Sequence, residues 1–391
     1  MKKALVFYLY GTRNAGDMAI CVGAIELLRA QGYDITMVSR FSEAEDEYQI
    51  SKNYITEYYP DVKISPGPFS FERSFSKLKK LIAYGSSCLT VFGIRKNENI
   101  RKLIEQADVV FFNGGNLLRG SSLADYLRLI ALFYPIEIAK KTGKPVYCLP
   151  QSTAAISIIG DKILHKYLKC FDKIFIREAI SFKTLKDRYS DLSFVLSTDL
   201  AFLCRDTKIA ADKFNRQFQI GKKQKVALIF RNTGIGDIGR VGRKTEEKLT
   251  EVILEFVRSN SDYEYWVIIQ TQKDRDMSER FINRVKKNSN IRMVESHDPL
   301  LLREIYKHME FTISMRLHAA ILSLSAGTPV YGVFSNEWGL KNPGIMDAYK
   351  MDYIIVEEQN ENLYVKGEAE IEKDMIKKKI DENVLLLMNI L

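Results

Sequence analysis

Residues 311–333 read Phe-Thr-Ile-Ser-Met-Arg-Leu-His-Ala-Ala-Ile-Leu-Ser-Leu-Ser-Ala-Gly-Thr-Pro-Val-Tyr-Gly-Val. The apolar run before Ser314 predicts a buried strand, and from His318 the spacing of Ala, Leu and Ser turns helical until Gly327 and Pro329 stop it. Arg316 and His318 therefore fall at a strand-to-helix junction. Open parallel sheets bind ligands there, outside the carboxyl ends of their strands, and the free N–H groups of the helix start favour an anion. Arg316 adds a planar, always charged fork matched to carboxylate and phosphate. His318 titrates near neutrality and can move a proton. The pair also admits a plainer reading, in which Arg316 forms a structural ion pair and His318 caps the helix.

A chain of 391 residues exceeds one typical core, so two domains are expected. With 46% hydrophobic and 27% charged residues it has the composition of a globular enzyme, and no run of about 18 apolar residues suits a bilayer. The net charge of +9 fits anionic partners such as lipid headgroups or phosphorylated substrates. Nucleic acid is not expected, because no basic stripe interleaved with aromatics serves a single strand. Cys21, Cys88, Cys148, Cys170 and Cys204 are odd in number, widely spaced and mostly set in apolar stretches. They read as core residues in a reducing cytoplasm, with neither a disulfide framework nor a zinc site. Residues 1–10 resemble the start of a signal peptide, but the apolar run is short and meets Arg13 and Asp17, so a first buried strand is the better reading.

Residues 4–10 form that strand, and Gly11-Thr-Arg-Asn-Ala-Gly-Asp17 is a glycine-punctuated turn into a helix from about residue 18 to 31. Its backbone N–H groups, Asn14 and Asp17 suit a hydroxylated or phosphorylated ligand, although the glycine spacing is not that of a dinucleotide fingerprint. A simple turn with Asp17 near the helix N-terminus fits equally well. Residues 34–38 are the second strand, and residues 41–100 read as irregular. Within them, residues 69–84 interleave Lys and Arg with Phe and Leu, which suits an anionic membrane surface or a lipid-linked acceptor, or else an amphipathic helix packed on its domain. Residues 107–112 form a short strand ending in Asn113-Gly114-Gly115-Asn116. The same pattern returns at residues 145–149, ahead of Gln151 and Ser152, at residues 173–176, ahead of Arg177 and Glu178, and at residues 195–203. Short apolar strands alternating with helical stretches predict a parallel sheet with helices on both faces.

Residues 206–224 are polar and read as a linker between an N-terminal domain, 1–205, and a C-terminal domain, 225–391. Strands of a second sheet are expected at 226–230, 265–270, 291–294, 311–314 and 330–334, with a helical tail from residue 368. Arg231 then occupies a strand end in the same sheet as Arg316, and two arginines with a histidine suit a small, doubly charged anion.

In order and spacing these motifs resemble the polysaccharide pyruvyltransferase family over most of the chain. The carriers are Asn14-Ala-Gly-Asp17, Gly114-Gly115, Gln151-Ser152, Arg177-Glu178 with Ser181, Asp199-Leu-Ala-Phe202, and Arg316-Leu317-His318 with Gly327-Thr-Pro329. Two departures are Asn116, where the family often has a third glycine, and Leu200, where it often has a proline. The resemblance implies an α/β fold with two Rossmann-like domains whose parallel sheets face a central cleft, as in glycosyltransferase B. It implies transfer of pyruvate from phosphoenolpyruvate to a sugar of a cell-surface polysaccharide or its lipid-linked precursor, forming a ketal. Arg231, Arg316 and Leu317 would hold the donor, and His318 would be the catalytic acid. Asn14, Asp17, Asn113, Gly114, Gly115, Gln151 and Ser152 would meet the acceptor on the N-terminal side. No metal or cofactor beyond the donor is expected, and the setting would be cytoplasmic, at the inner face of the membrane. The alternatives are a nucleotide-sugar glycosyltransferase of the same fold, with Glu337 on the ribose, and a non-catalytic saccharide-binding protein.

Overall fold

The computed structural model of the chain describes residues 1–69, 90, 97–232, 241–285, 290–339, 341–358 and 373–390. Two compact units emerge. The first contains Met1–Thr12, Ile20–Leu200 and Leu386–Leu391, and the second contains Arg13–Ala19 and Ala201–Leu385.

In the first unit the strands are β1 (Lys3–Leu9), β2 (Asp34–Ser39), β3 (Lys63–Ser65), β4 (Val109–Phe112), β5 (Gly115–Gly120), β6 (Val146–Ile156), β7 (Lys173–Ile176) and β8 (Phe194–Leu196). Their order is β3-β2-β1-β4-β6-β7-β8, with β5 paired to β6, and every pairing is parallel. Chain order reverses between β1 and β4, so two neighbouring strand ends there feed helices on opposite faces and leave a crevice. The strands are near-continuous apolar runs, as burial on both faces demands. The helices are α1 (Ala15–Ala30), α2 (Asp46–Tyr58), α3 (Glu98–Gln106), α4 (Leu123–Lys141), α5 (Ile158–Leu168) and α6 (Ala179–Arg188). Side chains set their starts. Ser122 accepts from the Asp125 N–H, Ser157 from the Gly160 N–H and Glu178 from the Ser181 N–H, each satisfying a donor the helix cannot. Phe133 of α4 stacks between Phe112 of β4 and Tyr167 of α5, with ring centroids 4.8 and 5.2 Å away, and clamps these elements together.

The second unit begins with α7 (Lys208–Gln217) and carries β9 (Lys225–Ile229), α8 (Arg243–Ser259), β10 (Glu264–Ile269), α9 (Arg275–Val285), β11 (Ile291–Glu295), α10 (Pro299–Lys307), β12 (Phe311–Ser314), α11 (Leu317–Ser325), β13 (Val330–Phe334), α12 (Lys341–Ala348) and β14 (Tyr353–Ile355). The last helix, α13 (Lys373–Ile390), runs into the tail. The sheet order is β11-β10-β9-β12-β13-β14, again all parallel, with the reversal between β9 and β12.

Several expectations need correction. Residues 206–224 contain α7, because Ala210 and Phe214 lie one turn apart and are buried, while Thr207 caps the helix. Residues 41–100 are not wholly irregular: α2, β3 and α3 form there, and α3 places Ile100 and Ile104 in the core. Strand β5 was unforeseen, since glycine bounds it at both ends, and β8 stops at Leu196, ahead of a 3-10 turn over Leu200–Leu203. The basic, aromatic stretch 69–84 lies outside the described residues beyond Phe69, as do Cys88 and residues 233–240.

Candidate functional site

The second unit brings two predicted arginines to its strand-order reversal. In the second sheet Ile229 of β9 and Ser314 of β12 are register partners, so Arg231 and Arg316, each two residues further on, leave adjacent strands at the same level. Arg316 is the residue before α11, with extended backbone, and the Ser314 hydroxyl both accepts from its N–H and donates to its carbonyl. That local ring holds the side chain at the mouth of the helix. Leu317 and His318 follow in the first turn and are half-buried, so the unbonded N–H groups of the helix start lie among them.

A third strand end supplies what sequence reading missed. Asp274 closes the 3-10 turn Gln272–Asp274 after β10, the other neighbour of β9. Its carboxylate is 1% exposed and takes both Nε and Nη2 of Arg316 in a two-point grip, while the Asn232 N–H donates to it at 3.0 Å. The plainer reading of Arg316 is thus correct as far as it goes: the arginine is ion-paired. The grip uses one edge of the fork and leaves Nη1 on the other. Arg231 differs. Its guanidinium lies over the buried Trp338 ring, 4.7 Å from the centroid, and takes no hydrogen-bonding partner among the described residues. Burial pushes Arg231 down to about 10 from its ordinary 12.5; the nearby Arg316 charge adds to the fall and Asp274 opposes it. Two guanidinia against one carboxylate leave a net positive charge that a ligand anion would balance. Trp338 and Asp274 carried no motif, although Asp274 follows a predicted strand as the arginines do.

Residues 13–19 complete this constellation. Asn14 pairs with Thr271 as an isolated bridge, and the Ala15 N–H donates to the Gln270 carbonyl at 3.1 Å. Asn14 and Asp17, expected on the N-terminal side, therefore cluster with the second unit, because the turn that begins α1 is tied to the end of β10. Asn14 accepts from the Gly16 N–H, and Asp17 sits half-buried in the first turn. A Cβ added to Gly16 would collide with the His318 ring. Gly16→Ala is accordingly expected to displace the imidazole and, if that ring takes part in the reaction, to lower turnover about tenfold or more, with little change in the unfolding midpoint. Steady-state kinetics beside thermal unfolding would show it; unchanged turnover would mean that the ring position does not matter.

The remaining predicted residues lie on or between β4, β5 and β6 of the first sheet. Asn113 follows β4 and is fully buried, donating to the Tyr8 carbonyl and accepting from the Gly114 N–H. Gln151 is equally buried, donating to the Asn113 carbonyl and accepting from the Leu117 N–H. Ser152, also buried, accepts from Arg177 Nε at 2.6 Å, and Arg177 pairs with Asp199 at 2.6 Å. These side chains hold strand ends in place. Asn113, Gln151 and Ser152, expected at the acceptor, are bonded to backbone and to Arg177 and so brace the loop, as buried polar groups must be satisfied. That loop is Gly114-Gly115: Gly115 has φ +141°, open to glycine, and a Cβ on Gly114 would clash with the Pro150 carbonyl oxygen. Glu337, the ribose candidate, is exposed in the turn Asn336–Trp338. The other histidines have different partners: His165 with Asp191, His297 with Glu295, and His308 stacked on Phe214.

Solved structures similar to this chain include the UDP-GlcNAc 2-epimerase of Neisseria meningitidis (12% identity, TM-score 0.54, covering 100% of this chain and 93% of that one). The epimerase of Methanocaldococcus jannaschii is similar too (11%, 0.54, 97% and 92%), as is the trehalose-6-phosphate synthase OtsA (10%, 0.53, 100% and 98%). At such identities the likeness concerns the fold, the two-domain α/β architecture of glycosyltransferase B. No curated protein sequence matches the chain. The family model for polysaccharide pyruvyl transferase matches residues 14–337, a span from the Asn14 turn through all three strand ends to the turn that carries Trp338. The chain belongs to the polysaccharide pyruvyl transferase family.

Proposed function

We propose that the protein transfers pyruvate from phosphoenolpyruvate to two hydroxyls of one sugar, as a ketal, in a cell-surface polysaccharide or its lipid-linked precursor. The observation that carries this reading is the meeting of Arg231, Arg316 and Asp274 on adjacent strand ends, with His318 two residues from Arg316. A donor with a carboxylate and a phosphate needs two anion contacts. Arg231, flat on Trp338, offers its fork to one, and the Nη1 edge of Arg316 with the N–H groups at Leu317 offers a place to the other.

The chemistry then asks for an acid. His318 protonates the methylene carbon, and the enol carbon C2 becomes oxocarbenium-like. A sugar hydroxyl oxygen bonds to C2 and gives up its proton. The C2–O bond to phosphate breaks, and the phosphate leaves with one proton. The second hydroxyl closes the ring on C2 and releases its own proton, so two protons are taken up and two given back. The guanidinia stabilise the departing phosphate in a partly buried site where charge interactions are strong. Asn14, Asp17, Gly114 and Gly115 are the proposed acceptor contacts, and the inner face of the membrane is the proposed setting. A nucleotide-sugar glycosyltransferase remains the second reading, favoured by the fold of the enzymes above and by exposed Glu337 close to Trp338. Incubation with phosphoenolpyruvate and a panel of saccharides separates the two: phosphate release with a ketal product supports the proposal, and consumption of a nucleotide sugar instead opposes it.

A further inference from the structure

Large apolar side chains exposed on the described surface are not spread evenly. Leu123 (71% exposed), Leu127 (46%), Ile158 (82%), Ile159 (59%), Ile180 (42%) and Leu196 (40%) lie between β5 and the end of β8 in the first unit, whereas Met1 and Ile50 of that unit and Ile220, Met293 and Leu385 of the second are isolated in the chain. Their place in the fold is specific. Leu123 and Leu127 are in the first turns of α4, Ile158 and Ile159 open α5, Ile180 is in the first turn of α6, and Leu196 ends β8. Helices α4, α5 and α6 connect β5, β6, β7 and β8, which are successive neighbours in the sheet. The six therefore follow one another along the carboxyl edge. Contact between the Tyr126 hydroxyl of α4 and Ser157 before α5, at 2.6 Å, joins the first two helix starts directly.

We propose that this apolar edge is a docking surface for an anionic phospholipid membrane. Single exposed aliphatics are ordinary, but a run of them along one edge marks an interaction site. Charge selects the occupant. Three helix N-termini end in this surface, each with a partial positive charge. The acidic residues among them are answered within the protein: Asp125 lies 3.4 Å from Arg119 and 3.5 Å from Arg128, Asp161 lies 3.7 Å from Arg188, and Glu178 is buried and spent on capping the Ser181 N–H of α6. Lys162 and Lys183 are exposed one turn further along, with no ion pair among the described residues. A second copy of the same edge would set positive against positive, whereas anionic headgroups answer it and their acyl chains receive the leucines and isoleucines. Strand β5 runs from the Gly114-Gly115 loop to the start of α4, so the edge begins roughly 15–20 Å from that loop at the usual rise per residue. The inference concerns the first unit alone and does not depend on the pyruvyl reading.

Co-sedimentation of the full chain with vesicles tests it. The wild type is expected to bind vesicles containing phosphatidylglycerol, to bind pure phosphatidylcholine far less, and to lose binding as salt rises. The triple variant Leu123→Ser/Ile158→Ser/Ile159→Ser is expected to reduce partitioning by about tenfold or more, and Lys162→Glu/Lys183→Glu to abolish the preference for phosphatidylglycerol. Ile50→Ser, at an isolated exposed position, serves as control, and circular dichroism confirms the fold of each variant. Wild-type sedimentation by the folded triple variant would overturn the proposal. So would failure of the wild type to bind at low salt, or a triple variant that changes only the oligomeric state in analytical ultracentrifugation.

Discussion

Replacing His318 by alanine is expected to lower turnover on the order of 100-fold or more while leaving donor affinity nearly unchanged, since a positioned general acid contributes about that much to a proton-transfer step. The proposed anion contacts belong to other residues. Arg231 and Arg316 emerge at one level from β9 and β12, and Asp274 holds Arg316 from β10, so removal of the imidazole leaves that arrangement intact. In the wild type, activity should fall on the alkaline side as the imidazolium loses its proton. His318→Ala should show a flatter alkaline limb at its low residual rate. Near wild-type turnover in a folded variant would remove the acid role.

Asp274→Ala has the second large expected effect, on stability as well as function. The carboxylate is almost fully buried against the Arg316 guanidinium, and its loss would strip Arg316 of that partner while the Arg231 charge stays nearby, and leave the Asn232 N–H without its acceptor. Breaking a buried ion pair by removing one partner costs about 3–5 kcal/mol, so the urea midpoint of the variant should fall clearly below that of the wild type. Inorganic phosphate should stabilise the variant more than the wild type, because an added anion stands in for the lost carboxylate. Asp274→Asn, which keeps the shape and the acceptor for Asn232, should be milder in stability yet still weaken donor use through a loosened Arg316. A variant as stable as the wild type, with unaltered response to phosphate, would contradict the clamp.

Strands were the most legible feature, and for a simple reason. In a parallel sheet covered on both faces most residues are apolar, so β1, β4, β9, β10, β12 and β13 stand out as short runs, and the residues just beyond them can be named as strand-end residues. Arg231 and Arg316 were expected at strand ends on that ground, and the structure places them there. What a run of letters does not carry is which polar residue turns inward. Asp274 lies in Gln-Lys-Asp-Arg-Asp, which reads as a solvated surface turn, and its partner is 42 positions away. Only the neighbouring of β10, β9 and β12 brings them together. Burial is likewise invisible in the letters at Asn113 and Gln151. Amides at strand ends look poised for a ligand, yet full burial commits them to backbone groups. Residues 13–19 show a third limit: adjacency to β1 suggested one unit, while a bridge to Thr271 and a hydrogen bond to Gln270 place them with the other.

The central claim is that a histidine-delivered proton turns phosphoenolpyruvate into a ketal donor. It is tested most directly by running the reaction in heavy water with a pyruvyl-accepting saccharide and reading the product by mass spectrometry and NMR. The account predicts phosphate release and a ketal whose methyl group carries deuterium, introduced at the former methylene carbon, with the rate falling in step in His318→Ala. A ketal whose methyl group contains no deuterium, or intact phosphoenolpyruvate alongside consumption of a nucleotide sugar, would contradict it.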